Sequence, residues 1–130
     1  NFFIVFVLVV VCADIGAYFG GRIIGGPKVL EMVSPGKTWA GILVGWISVF
    51  IFYQTLKMFG LYLSNFFIFV FLGIALSSQV GDFIESYIKR NLGVKDTSNI
   101  IPGHGGLLDR FDGLIFASFF VKIIDFYLTI

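Results

Sequence analysis

Residues 38–56 and 58–81 run for 19 and 24 residues without one charged side chain, separated only by Lys57. A helix crossing a bilayer takes about 20 mostly apolar residues. Two such crossings are therefore expected here. Residues 1–13 read as the end of a further span that continues towards Tyr18. Residues 113–130 read as a fourth, interrupted by Lys122 and Asp125. Lipid admits only helices or closed barrels, and the short alternation of barrel strands is absent. The expected fold is all-α, a polytopic transmembrane helical protein with about four spans. Composition agrees: 58% of the 130 residues are apolar, 17 are Phe and 13% are charged. A small soluble domain does not bury that much apolar surface. Membrane lipids are thus expected neighbours. A net charge of +1 offers no electrostatic footprint for nucleic acid, so no nucleic-acid partner is expected.

The 17 charged residues are unevenly placed. Five lie in 14–37 (Asp14, Arg22, Lys28, Glu31, Lys37) and nine in 82–112 (Asp82, Glu85, Lys89, Arg90, Lys95, Asp96, Asp109, Arg110, Asp112). With four spans, both windows fall at the same membrane face. Their excess of Lys and Arg puts that face in the cytoplasm. One site built from both windows is the expectation. Gly20-Gly21, Gly25-Gly26, Pro35-Gly36 and Pro102-Gly103 are expected to mark turns. Cys12 stands alone, which excludes an intrachain disulfide and a cysteine metal site, and reads as a small buried residue. Residues 1–13 lack the basic start and small-residue cleavage site of a signal peptide. The chain opens in mid-span, so it is expected to be the C-terminal part of a longer protein, with 1–130 forming a single membrane-embedded catalytic region.

In the second window Asp82, Glu85, Ser86 and Lys89 share one helical face, in a cytoplasmic extension of the third span. Glu85–Lys89 has the spacing of an ordinary helix-surface pair. Asp82 directly follows the uncharged run, where an acid is costly unless paired or metal-bound. Pro102-Gly103-His104-Gly105-Gly106 is expected to be a loop whose free backbone N–H groups approach phosphate. Asp109 and Asp112, at i and i+3, follow at the start of the fourth span. They either hold a hard cation such as Mg²⁺ or compensate the helix dipole. Carboxylates for metal beside Lys89, Arg90, Lys95 and Arg110 for phosphate suit nucleotidyl or phosphoryl transfer.

Ser86-Tyr87-Ile88-Lys89-Arg90, then Lys95-Asp96, Ser98, Ile101-Pro102, His104-Gly105-Gly106 and Asp109-Arg110-Phe111-Asp112 span 27 residues. This run resembles the signature of CDP-diacylglycerol synthases, also called phosphatidate cytidylyltransferases. The first window is similar to that family too, through Ala13-Asp14-Ile15-Gly16-Ala17-Tyr18 and Ser34-Pro35-Gly36-Lys37-Thr38-Trp39-Ala40-Gly41. Ile15 stands where Thr or Ser is usual, and Ala40 where Glu or Gln is frequent. The resemblance implies an inner-membrane enzyme that condenses CTP with phosphatidic acid, giving CDP-diacylglycerol and pyrophosphate. It implies Mg²⁺ at Asp82, Asp109 and Asp112, with a second cation left open, and leaves a homodimer open. Asp82, Lys89, Arg90, His104, Asp109 and Arg110 are then the candidate catalytic residues. Asp14, Ser34, Lys37, Thr38, Ser86, Lys95, Asp96, Gly103, Gly105 and Gly106 are candidates for substrate binding.

Other readings stand beside these. Ser34 has the chemistry of an N-cap for the second span, and Lys37 that of a positive-inside anchor. Asp14 requires a metal, Arg22 or a nucleotide as partner, and Lys122 is expected to pair with Asp125. Lys37-Thr38 lacks the upstream spacing of a phosphate loop. A CTP-dependent polyprenol or phytol kinase is the nearest alternative function. A CDP-alcohol phosphotransferase fails on the residues after Asp112-Gly113. A membrane transporter predicts charges scattered near the midplane rather than at one face.

Overall fold

A computed structural model describes the backbone of residues 2–93 and 105–129, and the side chains of residues 2–93 and 111–126. Four helices carry the chain: α1 (Phe2–Ile23), α2 (Trp39–Met58), α3 (Phe66–Asn91) and α4 (Gly105–Thr129). A short antiparallel hairpin of β1 (Lys28–Leu30) and β2 (Ser34–Thr38) joins α1 to α2, with Lys28 opposite Thr38 and Leu30 opposite Ser34. Among the described residues, α1, α2 and α3 are long and apolar enough to cross a membrane. Their outer faces expose Phe3, Phe19, Leu43, Ile47, Phe50 and Phe69, as apolar as the core beneath. Such a surface is stable against lipid and not against water. The protein is an all-α polytopic membrane protein carrying one small hairpin.

The core is buried between the helices, with Val9, Val49, Phe71 and Ile74 almost wholly enclosed. Tyr53 meets Phe71 edge-on at 5.9 Å and donates its hydroxyl to Ser64 O at 3.2 Å, tying the α2–α3 loop down.

Glycine sets how closely α1 and α2 approach. Gly16 and Gly20 on α1 face Ser48 and Val44 on α2, while Gly41 and Gly45 on α2 face Ala17 and Ala13 on α1. The pairing makes the helices antiparallel. A Cβ at Gly41 would sit 2.7 Å from Ala17 O, and one at Gly45 2.9 Å from Ala13 O. Each helix thus carries a small-xxx-small stripe, the pattern by which membrane helices bring their backbones together. The Gly20-Gly21 pair lies inside α1 and breaks nothing, contrary to the expected turn. Close packing against Val44 and Ala40 outweighs the intrinsic helix cost of glycine, about 1 kcal/mol.

Other boundaries shift for identifiable reasons. The third span was expected over 58–81, but α2 runs to Met58 and α3 begins at Phe66. Gly60, at φ +84°, ends α2: its N–H bonds to Lys57 O at 3.1 Å, and the Leu61 N–H bonds to Leu56 O at 3.2 Å. That pair of bonds is a Schellman stop. The expected helical extension of the third span past Asp82 is present, since α3 continues to Asn91. The cap of α2 is Thr38, whose Oγ1 accepts from Gly41 N at 3.1 Å, while Ser34 lies in the hairpin. Gly105 and Gly106 open α4 instead of ending a loop. A helix's first turn has N–H groups without helical partners in any case, so glycine is tolerated there. Asp109 and Asp112 consequently lie past the first turn of α4.

Alternation of the helices puts the β1–β2 hairpin at the same end of the molecule as the end of α3 and the start of α4. Replacing Gly45 by Leu forces α1 and α2 apart. It should cost about 1–3 kcal/mol, read as a lowered thermal midpoint of the detergent-solubilised protein. Ile47→Leu on the exposed face of α2 should leave the midpoint unchanged.

Candidate functional site

Lys37 carries the connection between the two windows. It sits on β2, immediately before the cap Thr38, and its Nζ reaches Asp82 Oδ2 on α3 at 2.9 Å. The same ammonium lies 4.6 Å from the centroid of the Phe83 ring, which adds a cation–π contact. Both charged groups are about 30% exposed, at 30% and 27% of their side-chain surface. This pair is partly desolvated, and its geometry counts for more than that of a surface pair. A second tie runs from Arg90 Nε, near the end of α3, to Val33 O in the hairpin turn at 3.5 Å.

Beneath Lys37 lies a cavity of about 510 Å³, lined by Asp14, Tyr18 and Arg22 from α1, Lys37 and Thr38 from β2, Gly41 and Ile42 from α2, and Gln79, Asp82 and Phe83 from α3. That volume lies in the ordinary range for a small-molecule site. Asp14 is within Coulombic range of both Lys37 and Asp82. Arg22, a candidate partner for Asp14, instead donates to Tyr18 Oη at 2.6 Å and lies over its ring at 5.9 Å. A larger cavity, about 680 Å³, lies at the opposite end among Phe2, Phe6, Phe66 and Phe67, with Lys122 and Asp125 among its lining residues. It is dominated by aromatic carbon, so the chemistry belongs to the smaller one.

At the other face of Asp82, α3 meets the start of α4. A Cβ at Gly113 would sit 3.0 Å from Asp82 Oδ1 and 2.5 Å from Ser78 Oγ. Asp112, the preceding residue on α4, has its Oδ1 accepting from Gly113 N at 2.6 Å. Ser78 Oγ is fully buried and has no hydrogen-bond partner among the described residues. Asp82 Oδ1 and the orphaned Ser78 hydroxyl thus both face Gly113 of α4. Among the described residues no group of three or more acidic, His or Cys side chains stands ready to hold a metal ion. The side chain of Asp109 is outside those described.

The candidates thus divide. Asp14, Lys37, Thr38 and Asp82 share the cavity, whereas Asp112 does not line it. Ser86 lies half-buried one turn beyond Asp82 on α3. Lys89 forms the expected pair with Glu85 at 3.1 Å, and Arg90 holds the hairpin. Ser34 is in β2 and does not line the cavity. Gly105, Gly106, Asp109 and Arg110 fall on the first two turns of α4 without described side chains; Lys95, Asp96, Gly103 and His104 lie outside the described residues. Sequence reasoning missed Ser78 and Gln79. Their signal was available: Ser77-Ser78-Gln79 is a polar cluster in an apolar helix, one turn before Asp82, and polar groups at membrane depth are seldom idle.

Fold and site together define a polytopic helical membrane protein with a charge-lined cavity at one end. The sequence model of the Cytidylyltransferase family matches residues 1–128, and the chain belongs to that family. It is 41% identical over 126 residues to the phosphatidate cytidylyltransferase of Helicobacter pylori, covering 95% of this chain and 46% of that protein. Identity to the phosphatidate cytidylyltransferase of Haemophilus influenzae is 40% over 133 residues, covering 97% of this chain and 46% of that protein. For the Rickettsia bellii protein of the same name it is 40% over 110 residues, covering 78% of this chain and 48% of the relative. The chain therefore spans about half the length of the relatives it matches. No solved structure matches it.

A double-mutant cycle tests the central contact. Lys37→Met should destabilise the protein more when Asp82 is present than when it is Asn. The expected coupling is about 0.5–3 kcal/mol, measured by thermal unfolding in detergent; additive effects would mean the pair does not form.

Proposed function

We propose that the complete protein condenses CTP with phosphatidic acid, giving CDP-diacylglycerol and pyrophosphate in phospholipid biosynthesis. Residues 1–130 would be its membrane-embedded catalytic region, in a bacterial-type inner membrane with the cavity facing the cytoplasm. The observation that carries this reading is the Lys37–Asp82 pair inside a cavity at the membrane face. It joins the two motif windows through the groups that phosphate chemistry needs, and the relatives bear the name of that activity.

In the reaction a phosphate oxygen of phosphatidate attacks the α-phosphorus of CTP. A new P–O bond forms, the bond from the α-phosphorus to the bridging oxygen breaks, and pyrophosphate leaves with that oxygen. The lipid phosphate is already ionised at neutral pH, so neither a protein nucleophile nor an obligatory general base is required. His104 would be an optional proton carrier. Lys37 and Arg22, at the cavity, would supply positive charge that orients phosphates, and the family resemblance adds Lys89, Arg90, Lys95 and Arg110 to that role. Thr38 fixes Lys37 by capping α2. Phosphoryl and nucleotidyl transfer depend mainly on this kind of positioning and charge neutralisation. Asp82 and Asp112, with Asp109, would hold Mg²⁺, whose chemistry is to neutralise charge on phosphate oxygens.

With CTP labelled on cytosine, label should pass to lipid; a CTP-dependent lipid kinase would leave it in CDP. Asp82→Asn and Asp109→Asn should each lower CDP-lipid formation by about 10²–10³-fold while membrane insertion persists. Near-normal turnover in either variant would remove that residue from the metal site. Chelation by EDTA should abolish turnover, with Mg²⁺ restoring it.

A further inference from the structure

Two cations line the cavity among the described residues, and their surroundings differ. Lys37 is matched by the Asp82 carboxylate. Arg22 bonds instead to a neutral group: its Nη1 donates to Tyr18 Oη at 2.6 Å, and its guanidinium carbon lies 5.9 Å from the centre of the Tyr18 ring. Among the described residues no carboxylate pairs with it. Tyr18 and Arg22 are both exposed, and both line the cavity, so a ligand there reaches them. A guanidinium carries five N–H donors in a planar fork, and the tyrosine hydroxyl takes one of them. Its full charge and most of its donors are therefore left for an anion. The fork grips phosphate oxygens two at a time.

Position along α1 narrows which phosphate that is. Asp14, Tyr18 and Arg22 recur at four-residue steps, so they climb one face of the helix by about 6 Å per step. Asp14 is the step within Coulombic range of the Lys37–Asp82 pair. Arg22, in the last turn of α1, is the step nearest the hairpin. The cavity thus has an inner end at the ion pair and an outer end marked by Arg22. A lipid phosphate arrives from the membrane side and meets the inner end first. In such transfers the attacking and leaving oxygens lie roughly in line across the phosphorus. Attack from the inner end therefore expels pyrophosphate outward, towards Arg22. We propose that Arg22 binds the β- and γ-phosphates of the nucleotide and the pyrophosphate they become, with Tyr18 as the positioning residue that holds the guanidinium. As the bond from the α-phosphorus to the bridging oxygen breaks, its electron pair stays on that oxygen, and Arg22 offsets the charge of the leaving group. The inference rests on the reading of the reaction as transfer from CTP to phosphatidate.

The reverse reaction isolates this contact, because CDP-diacylglycerol and pyrophosphate then enter as separate substrates. With the complete protein in mixed micelles at fixed free Mg²⁺, Arg22→Met should raise KM for pyrophosphate about tenfold or more, the effect of losing a charged hydrogen bond. KM for CDP-diacylglycerol should stay near the wild-type value. Arg22→Lys, which keeps an interfacial cation without the fork, should show a smaller rise for pyrophosphate alone. Tyr18→Phe, which keeps the ring and removes the acceptor, should do the same. An unchanged pyrophosphate KM in Arg22→Met and Arg22→Lys would overturn the proposal; a fall in membrane insertion beside it would make Arg22 an interfacial anchor. Equal rises for both substrates would also overturn it, since Arg22 would then support the cavity as a whole. An unchanged pyrophosphate KM in Tyr18→Phe alone would remove Tyr18 from the positioning role. A wild type that makes neither CTP in this direction nor CDP-lipid in the other would instead overturn the functional reading beneath.

Discussion

An ammonium on a strand outside the apolar slab and a carboxylate on a helix emerging from it meet at 2.9 Å in the Lys37–Asp82 pair. Neither charge is comfortable there alone. Removed partly from water, each depends on the other, and one without its partner would carry a desolvation cost that little else nearby offsets. Much of the polar end of the molecule follows from this contact. It anchors the hairpin over α3, sets the roof of the cavity, and leaves Asp82 Oδ1 directed at α4. Arg90, bonded to Val33 O, reinforces the same hairpin from the end of α3.

Lys37 reaches Asp82 only because the helices beneath are close. Two glycine stripes bring the α1 and α2 backbones together, which sets Asp14 and Thr38 around one cavity. On the other side Gly73 and Gly81 accept Phe120 and Phe116, and Gly113 lets α4 approach Ser78 and Asp82. Glycine in these helices is thus a spacing device. In lipid, where apolar contact with a neighbouring helix gains little over contact with acyl chains, fit between backbones decides association. The catalytic reading depends on that fit: a wider α1–α2 seam would part Asp14 from Lys37 without altering a charged residue.

Polar groups inside the membrane follow one logic. Thr38 caps a helix, Ser48 bonds back to Val44 O, and Trp46 and Gln79 bond each other, so their polar atoms are largely met within the protein. Among the described residues, Ser78 Oγ and Gln79 Nε2, about one turn before Asp82 on α3, are buried without a hydrogen-bond partner.

The uncharged runs determined, by themselves, that the chain is a helical membrane protein, because no other structure can carry them through lipid. Placement of 14 of 17 charges in two windows, with the expected four spans, led to the expectation that the windows share a face. The motif residues of both windows were legible, and so was Glu85–Lys89, because a helix fixes i,i+4 neighbours locally. Less legible was anything that depends on contact between distant segments. Gly20-Gly21 looked like a break because propensity is local, whereas the Val44 and Ala40 it packs against come from another helix. Ser34 and Thr38 are equally good caps by chemistry, and the register of the hairpin chose Thr38. Gln79 was one polar residue in a greasy run until the fold set it beside Asp14 and turned its carbonyl to Trp46. Sequence determines which groups must leave the lipid; the tertiary structure decides which of them meet, because that depends on how closely the backbones approach.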